Sequence, residues 1–142
     1  MSDKLLKSVK RAGLYYLPSV RRASLEASAQ KVHFAVLSAD LSGHQTMEAT
    51  LRGLGNALQF PIWFGANLDA LFDCLSDPDW LPAKGHVVFL GGIDRVRGAD
   101  PEDFSTFIEV LQAAAASRQE AGLPLWVLID TPARGIAKLP EA

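Results

Sequence analysis

Asp69, Asp73 and Asp77, spaced four residues apart, are the most concentrated source of chemistry in this 142-residue chain. A helix turning about 100° per residue would gather them on one face. Leu68, Leu71, Phe72 and Leu75 fall at i, i+3, i+4 and i+7 and form an adjacent apolar stripe. Asn67 stands at the N-cap position, where its side chain can accept a bond from an orphan N–H. Such a helix is not arranged for its own stability. Asp69 suits the positive N-terminal end, but Asp73 repels it across one turn and Asp77 opposes the dipole at the far end. No Lys or Arg occurs from Gly53 to Ala83 to relieve this. A face of that kind either solvates the surface or meets a cationic partner. A third use, as an acid/base pair, would need a pocket between the carboxylates, whereas they are expected on a convex face.

Aromatic side chains flank the acidic segment, with Trp63 and Phe64 directly before it and Trp80 directly after. Aromatics beside charges on a rigid helix are the material of interface hot spots. Each alone would be ordinary core. Trp63 and Phe64, as neighbours in a loop, are expected to point different ways. The remaining candidates carry less. His33, His44 and His86 show no i, i+4 ligand spacing, so no metal site and no cofactor are expected. Cys74, the single cysteine, lies within the acidic helix; partial burial and the Asp73 carboxylate would raise its pKa and oppose a reactive thiolate. Gly91, Gly92 and Gly98 form no phosphate-binding pattern.

The charge is polarised along the chain. Residues 1–31 carry seven Lys or Arg against Asp3 and Glu26, a balance of +5, within a net charge of −2. Residues 53–83 hold only Asp69, Asp73, Asp77 and Asp79. That segment seeks a basic partner and repels nucleic acid. A lone cysteine fits a reducing compartment, Lys7, Lys10 and Arg11 interrupt the one candidate signal segment, and no membrane span is expected. The expectation is a soluble, cytoplasmic protein acting as a monomer.

The elements that must position these residues follow from periodicity. Residues 32–37 read as a strand, 40–43 as a turn, and about 45–58 as a helix with Met47, Leu51, Leu54 and Leu58 on its buried face. Gly53 and Gly55 weaken that helix by about 1 kcal/mol each. Residues 60–65 form an apolar, aromatic loop, and the acidic helix runs from Asn67 to before Pro78. Residues 86–90 make a buried strand, about 101–121 a helix capped by Asp100 with Pro101 at its first position, and 125–129 the last strand. Strands separated by helices imply an α/β fold with a small three-stranded parallel sheet, and strands this apolar require helices over the sheet. Residues 1–31 contain a short helix near Leu5, Leu6 and Val9, followed by Leu17-Pro18; whether this basic N-terminal extension is ordered is left undecided. The tail, residues 131–142, reads as irregular.

The run Trp63-Phe64-Gly65-Ala66-Asn67-Leu68-Asp69-Ala70-Leu71-Phe72-Asp73-Cys74-Leu75 resembles the signature of the barstar family of intracellular ribonuclease inhibitors. Weaker similarity in element order spans residues 32–130, whereas 1–31 and the tail have no counterpart in the small family namesake. The resemblance implies a barstar-like single domain with an N-terminal extension, no enzymatic activity, and a partner that is a basic, barnase-like ribonuclease of extracellular type. By position, it implies that Asp73 takes the place of a substrate phosphate and that Asp69 pairs with a second basic residue. Charge-assisted bonds make such mimicry physically sensible. Trp63, Phe64, Gly65 and Asn67 match positions that pack on or bond the enzyme, Phe72 a rim aromatic, and Asp77 extends the acidic face. The chain departs from the family at the loop aromatics, where the namesake has mostly Tyr, and late in the long helix, where Glu120 is out of register with the family's glutamates. An immunity role and a binding module regulating a different basic protein both remain open.

Overall fold

The computed structural model describes residues 2–61 and 63–141; Met1, Ala142 and Ile62 of the apolar loop lie outside the described residues. In chain order come helix α1 (Ser2–Leu6), strand β1 (Leu14–Tyr16), α2 (Arg22–Lys31), β2 (Ala35–Asp40), α3 (Met47–Ala57), α4 (Leu68–Ser76), β3 (His86–Gly91), α5 (Ile93–Ala99), α6 (Pro101–Glu120) and β4 (Leu125–Ile129). The strands pair in parallel in the order β1-β4-β3-β2. The sheet therefore has four strands, not the expected three. The extra one is β1, whose Leu14, Tyr15 and Tyr16 pair with Val127, Leu128 and Ile129. Three residues between Gly13 and Leu17-Pro18 are too few to show a strand period, and their pairing is supplied by β4.

Alternation along the central strands sends side chains to two separate cores. Val88 and Leu90 of β3, with Leu125, Val127 and Ile129 of β4, pack under α3, α4, α5 and α6. Val87, Phe89, Trp126 and Leu128 face the other way, against Leu5, Leu6, Leu17, Leu25 and Ala29. Residues 2–31, whose order the sequence leaves undecided, are thus folded over the second face of the sheet. The Trp126 indole N–H donates to the carbonyl of Leu6 (3.1 Å), Tyr15 stacks on the same ring, and the Arg22 guanidinium lies 4.5 Å from the centre of the Phe89 ring. A continuous apolar strand has two faces to cover, and here the N-terminal segment covers the second.

The tail is not merely irregular. Tyr16 donates to Ala137 and accepts from Leu139 (both 2.9 Å), so the tail shields the outer edge of β1. Arg21 secures it by donating to the carbonyls of Leu139 and Pro140. Strand β2 begins three residues later than expected, because Val32 ends α2 and His33 adopts a left-handed φ of 64° in the turn between them. Two rules of helix termination hold as read: Asn67 caps α4, and Asp100 caps α6 with Pro101 in its first turn. Helix α3 is capped by Thr46 instead of starting at Gln45. Helix α5 was not expected; its first N–H groups are held by the carboxylate of Asp130, far away in sequence. Among the described residues no helix is long and apolar enough to cross a membrane.

Candidate functional site

Helix α4 is short, and both of its ends are tied by side chains. At the start, the Asn67 side chain accepts from the N–H of Ala70 at 2.8 Å. At the end, the Ser76 hydroxyl donates to the carbonyl of Phe72 at 2.6 Å. Leu71, Cys74 and Leu75 are buried, and Leu68 and Phe72 pack half-buried against the same core. Asp69 and Asp73 are exposed, and among the described residues neither enters an ion pair.

The two carboxylates do not stand on a bare convex face, as expected from the helix alone. With Leu68 and Phe72 they line a groove of about 430 Å³, whose other wall is Thr106, Glu109, Val110 and Ala113 of α6. A second depression joins Asn67, Leu68 and Asp69 to Glu48 of α3 and Asp103 of α6. Three helices thus bring acid to one surface. Glu48, Asp103 and Glu109 were not singled out in the sequence, and only the packing of α3 and α6 beside α4 reveals them.

The aromatic loop divides as its two neighbours must. Trp63 is 58% exposed, whereas Phe64 is half-buried and meets Phe60 edge-on at 5.0 Å. The Phe64 ring lies where a Cβ on Gly55 would have to go. That glycine costs α3 some propensity but lets the loop pack down. Gly65 is exposed, and Ala66 is buried with a left-handed φ of 52° that aims the chain into α4. Trp80 belongs to the core: it is 6% exposed, and its indole N–H donates to the carbonyl of Leu58 at 2.8 Å.

Asp77 departs from the other two aspartates. It lies beyond the last residue of α4, half-buried, and its carboxylate accepts from the N–H of Asp79 at 2.9 Å. That Asx-turn engages the side chain locally. Its carbonyl accepts from the N–H of Trp80 and from Arg118 of α6 at 2.9 Å. Arg118 also reaches toward the carbonyl of Leu75 and donates to Nδ1 of His86 at 3.3 Å. Since a guanidinium only donates, Nδ1 accepts. Nε2 of His86 then carries the proton and donates to the carbonyl of Leu81 at 2.6 Å. Burial pushes the His86 pKa below its ordinary value, the bond to Leu81 opposes this, and the Arg118 charge adds to the lowering. A signal for Arg118 exists in the sequence. Leu111, Ala114, Ala115 and Arg118 fall at i, i+3, i+4 and i+7, which puts the arginine on the buried stripe of α6.

Cys74 is buried, and its thiol is pushed up, first by burial and then by the charges of Asp73 and Asp77. His33, His44 and His86 are not brought together, and among the described residues no group of three or more His, Cys, Asp or Glu could hold a metal ion.

The fold and the surface define a parallel α/β domain presenting an acidic helix between an aromatic loop and a long neighbouring helix. The family model of barstar, the barnase inhibitor, matches residues 34–130. The chain belongs to the barstar family. The match takes in β2, α3, the loop, α4 and the elements through β4, and leaves outside it α1, β1, α2 and the tail that cover the rest of the sheet. No curated protein matches the chain.

Proposed function

We propose that this protein inhibits a ribonuclease by seating α4 and the loop before it in the enzyme's active site. Asp73 and Asp69 meet the enzyme's cationic groups, with Trp63, Phe64, Gly65, Asn67 and Phe72 packing or bonding around them. The observation that carries the reading is the pair Asp69 and Asp73. Both are exposed on a helix whose two ends are tied, and neither has an ion-pair partner among the described residues. Carboxylates carried on an ordered helix and free of internal partners give up no existing bond and little backbone freedom on meeting Arg, Lys or His⁺. Family membership supports a barnase-like ribonuclease as the kind of enzyme, and the acidic surface favours a basic one. Trp63, one of the two large apolar side chains left exposed among the described residues, supplies contact area. Asp77 belongs to this set only through its charge, because its carboxylate is held in the turn that ends α4. The protein so read is a cytoplasmic, non-enzymatic monomer, composed of the barstar-like domain (32–130), the basic N-terminal extension (1–31) and the tail (131–142).

A barstar-fold module that binds a different basic protein is the second reading. It draws on Trp63 and Phe64, which stand where the family namesake has mostly tyrosine. Acid/base catalysis by Asp69 and Asp73 is less favoured, since an open groove lacks the dry enclosure such work needs. Association kinetics test the reading. With a barnase-type ribonuclease, the association rate should fall steeply as salt rises, because the encounter is steered by charge. Asp69→Ala and Asp73→Ala should flatten that dependence. No binding at low salt would refute it, and tight binding without loss of nuclease activity would favour the second reading.

A further inference from the structure

We propose that Arg118 is a positioning residue for the acidic helix: from beneath α4 it ties the last turn, and with it the Asp73 carboxylate, to α6 and the sheet. The inference rests on reading α4 as the nuclease-facing helix, and it deepens that reading with a residue that never touches the partner.

A helix as short as α4 (Leu68–Ser76) would not hold its shape alone. It carries acid toward its negative end and has no cation in its own segment. The last carbonyls of a helix need donors from elsewhere, and a positive charge there is favoured by the dipole. Arg118 supplies both, bonding the carbonyl of Asp77 at 2.9 Å, four residues after Asp73, and reaching that of Leu75. Its other terminal nitrogen is anchored on His86 of β3, and the guanidinium lies over the Trp80 ring at 5.4 Å. Both anchors belong to the core, so the last turn of α4 is referenced to the sheet.

The arrangement is costly in other respects. Arg118 is 1% exposed; among the described residues its Nε has no hydrogen-bond partner and no carboxylate lies within ion-pair distance of it, so the more distant Asp77 charge only partly offsets its burial. An apolar side chain of similar length is often as stable as a buried ion, or more so. A buried arginine in an alanine-rich stretch of α6 is thus better accounted for by what it positions than by the stability it adds. Among the described residues its side chain bonds no backbone carbonyls except those of Leu75 and Asp77, at the end of α4.

The test compares the full-length protein with Arg118→Met and Arg118→Lys in three readouts: inhibition of a barnase-type ribonuclease, thermal unfolding, and amide hydrogen exchange. In folded R118M the inhibition constant should rise about tenfold. Exchange should quicken selectively at residues 74–76, with α6 and the sheet unchanged. R118K keeps the cation but not the fork, and should recover part of both. The effects of R118M and Asp73→Ala should be non-additive by about fivefold or more, while R118M and Trp63→Ala should simply multiply. If R118M does not fold, R118K carries the same comparison against wild type. Wild-type affinity in folded R118M, or exchange that rises equally everywhere, would overturn the proposal. Should the wild-type protein fail to inhibit, the functional reading falls, and selective loosening of residues 74–76 still decides the role of Arg118.

Discussion

Shortening Leu25 to alanine should destabilise the whole protein, although Leu25 lies outside the part of the chain that matches the family. Leu25 is 2% exposed, among Leu5, Leu6 and Leu17 on one side and Val87, Phe89, Trp126 and Leu128 of the sheet on the other. Replacing a buried leucine by alanine loses the transfer energy of the missing carbons and leaves a cavity, together about 2–5 kcal/mol. For a domain of this size each kcal/mol moves Tm by roughly 3–4 °C, so the expected fall is about 6–20 °C. The control lies in the same segment: Val20 is 88% exposed, and Val20→Ala should change stability by no more than about 0.5 kcal/mol. Circular dichroism followed through heating, with urea unfolding alongside, reads both variants. One cooperative transition shifted down in L25A and unshifted in V20A would show that residues 2–31 are integral to the fold. A Tm for L25A equal to wild type would mean that the N-terminal segment does not cover the sheet, and would refute the account of the second core.

Stability should also fall with acid in a window set by His86. Its folded-state pKa lies below the ordinary 6.5, so the unfolded chain takes the proton first and stability declines as pH drops below about 6.5. Above that value His86 contributes no slope. Urea unfolding at pH 7.5 and 5.5 should show the loss, and His86→Gln should reduce it. Asn67→Ala, which removes the cap of α4, should cost about 1 kcal/mol by the same unfolding measurement. Cys74, buried and with its thiol pushed up, should react with a thiol-specific reagent far more slowly in the native protein than in urea; equal rates would contradict its placement.

What the sequence made legible depended on how local each determinant is. The cap, the stripe and the Asp69–Asp73 pair of α4 all fall between Asn67 and Leu75, so spacing alone revealed them, whereas it wrongly extended the acidic face to Asp77, beyond the helix end. Strands β3 and β4 read directly because a continuous apolar run such as Leu125 to Ile129 has few other uses. Strand β1 did not, since its three residues owe their conformation to β4 on one side and to the tail on the other. Helix α5 was missed for a related reason: its start is organised by Asp130, remote in the chain. Within the loop, nothing local decides which of Trp63 and Phe64 turns inward. The missing Cβ of Gly55 on α3 decides it. Glu109 joins the acidic groove only because α6 packs beside α4, and Arg118 lay unnoticed in a stretch that reads as alanine filler.

The central claim is that α4 blocks a ribonuclease, with Asp73 at the centre of contact. The most direct measurement is the cleavage rate of a barnase-type ribonuclease, titrated with the wild-type protein and with Asp73→Ala. The account predicts stoichiometric inhibition by the wild type. It predicts weakening in the variant by about 2 kcal/mol or more, roughly thirtyfold (the barstar interface is itself a standard example of that rule). Asp73 is exposed, so the melting temperature should stay nearly unchanged. Undiminished cleavage at every ratio of wild-type protein, or equal inhibition by the two forms, would contradict it.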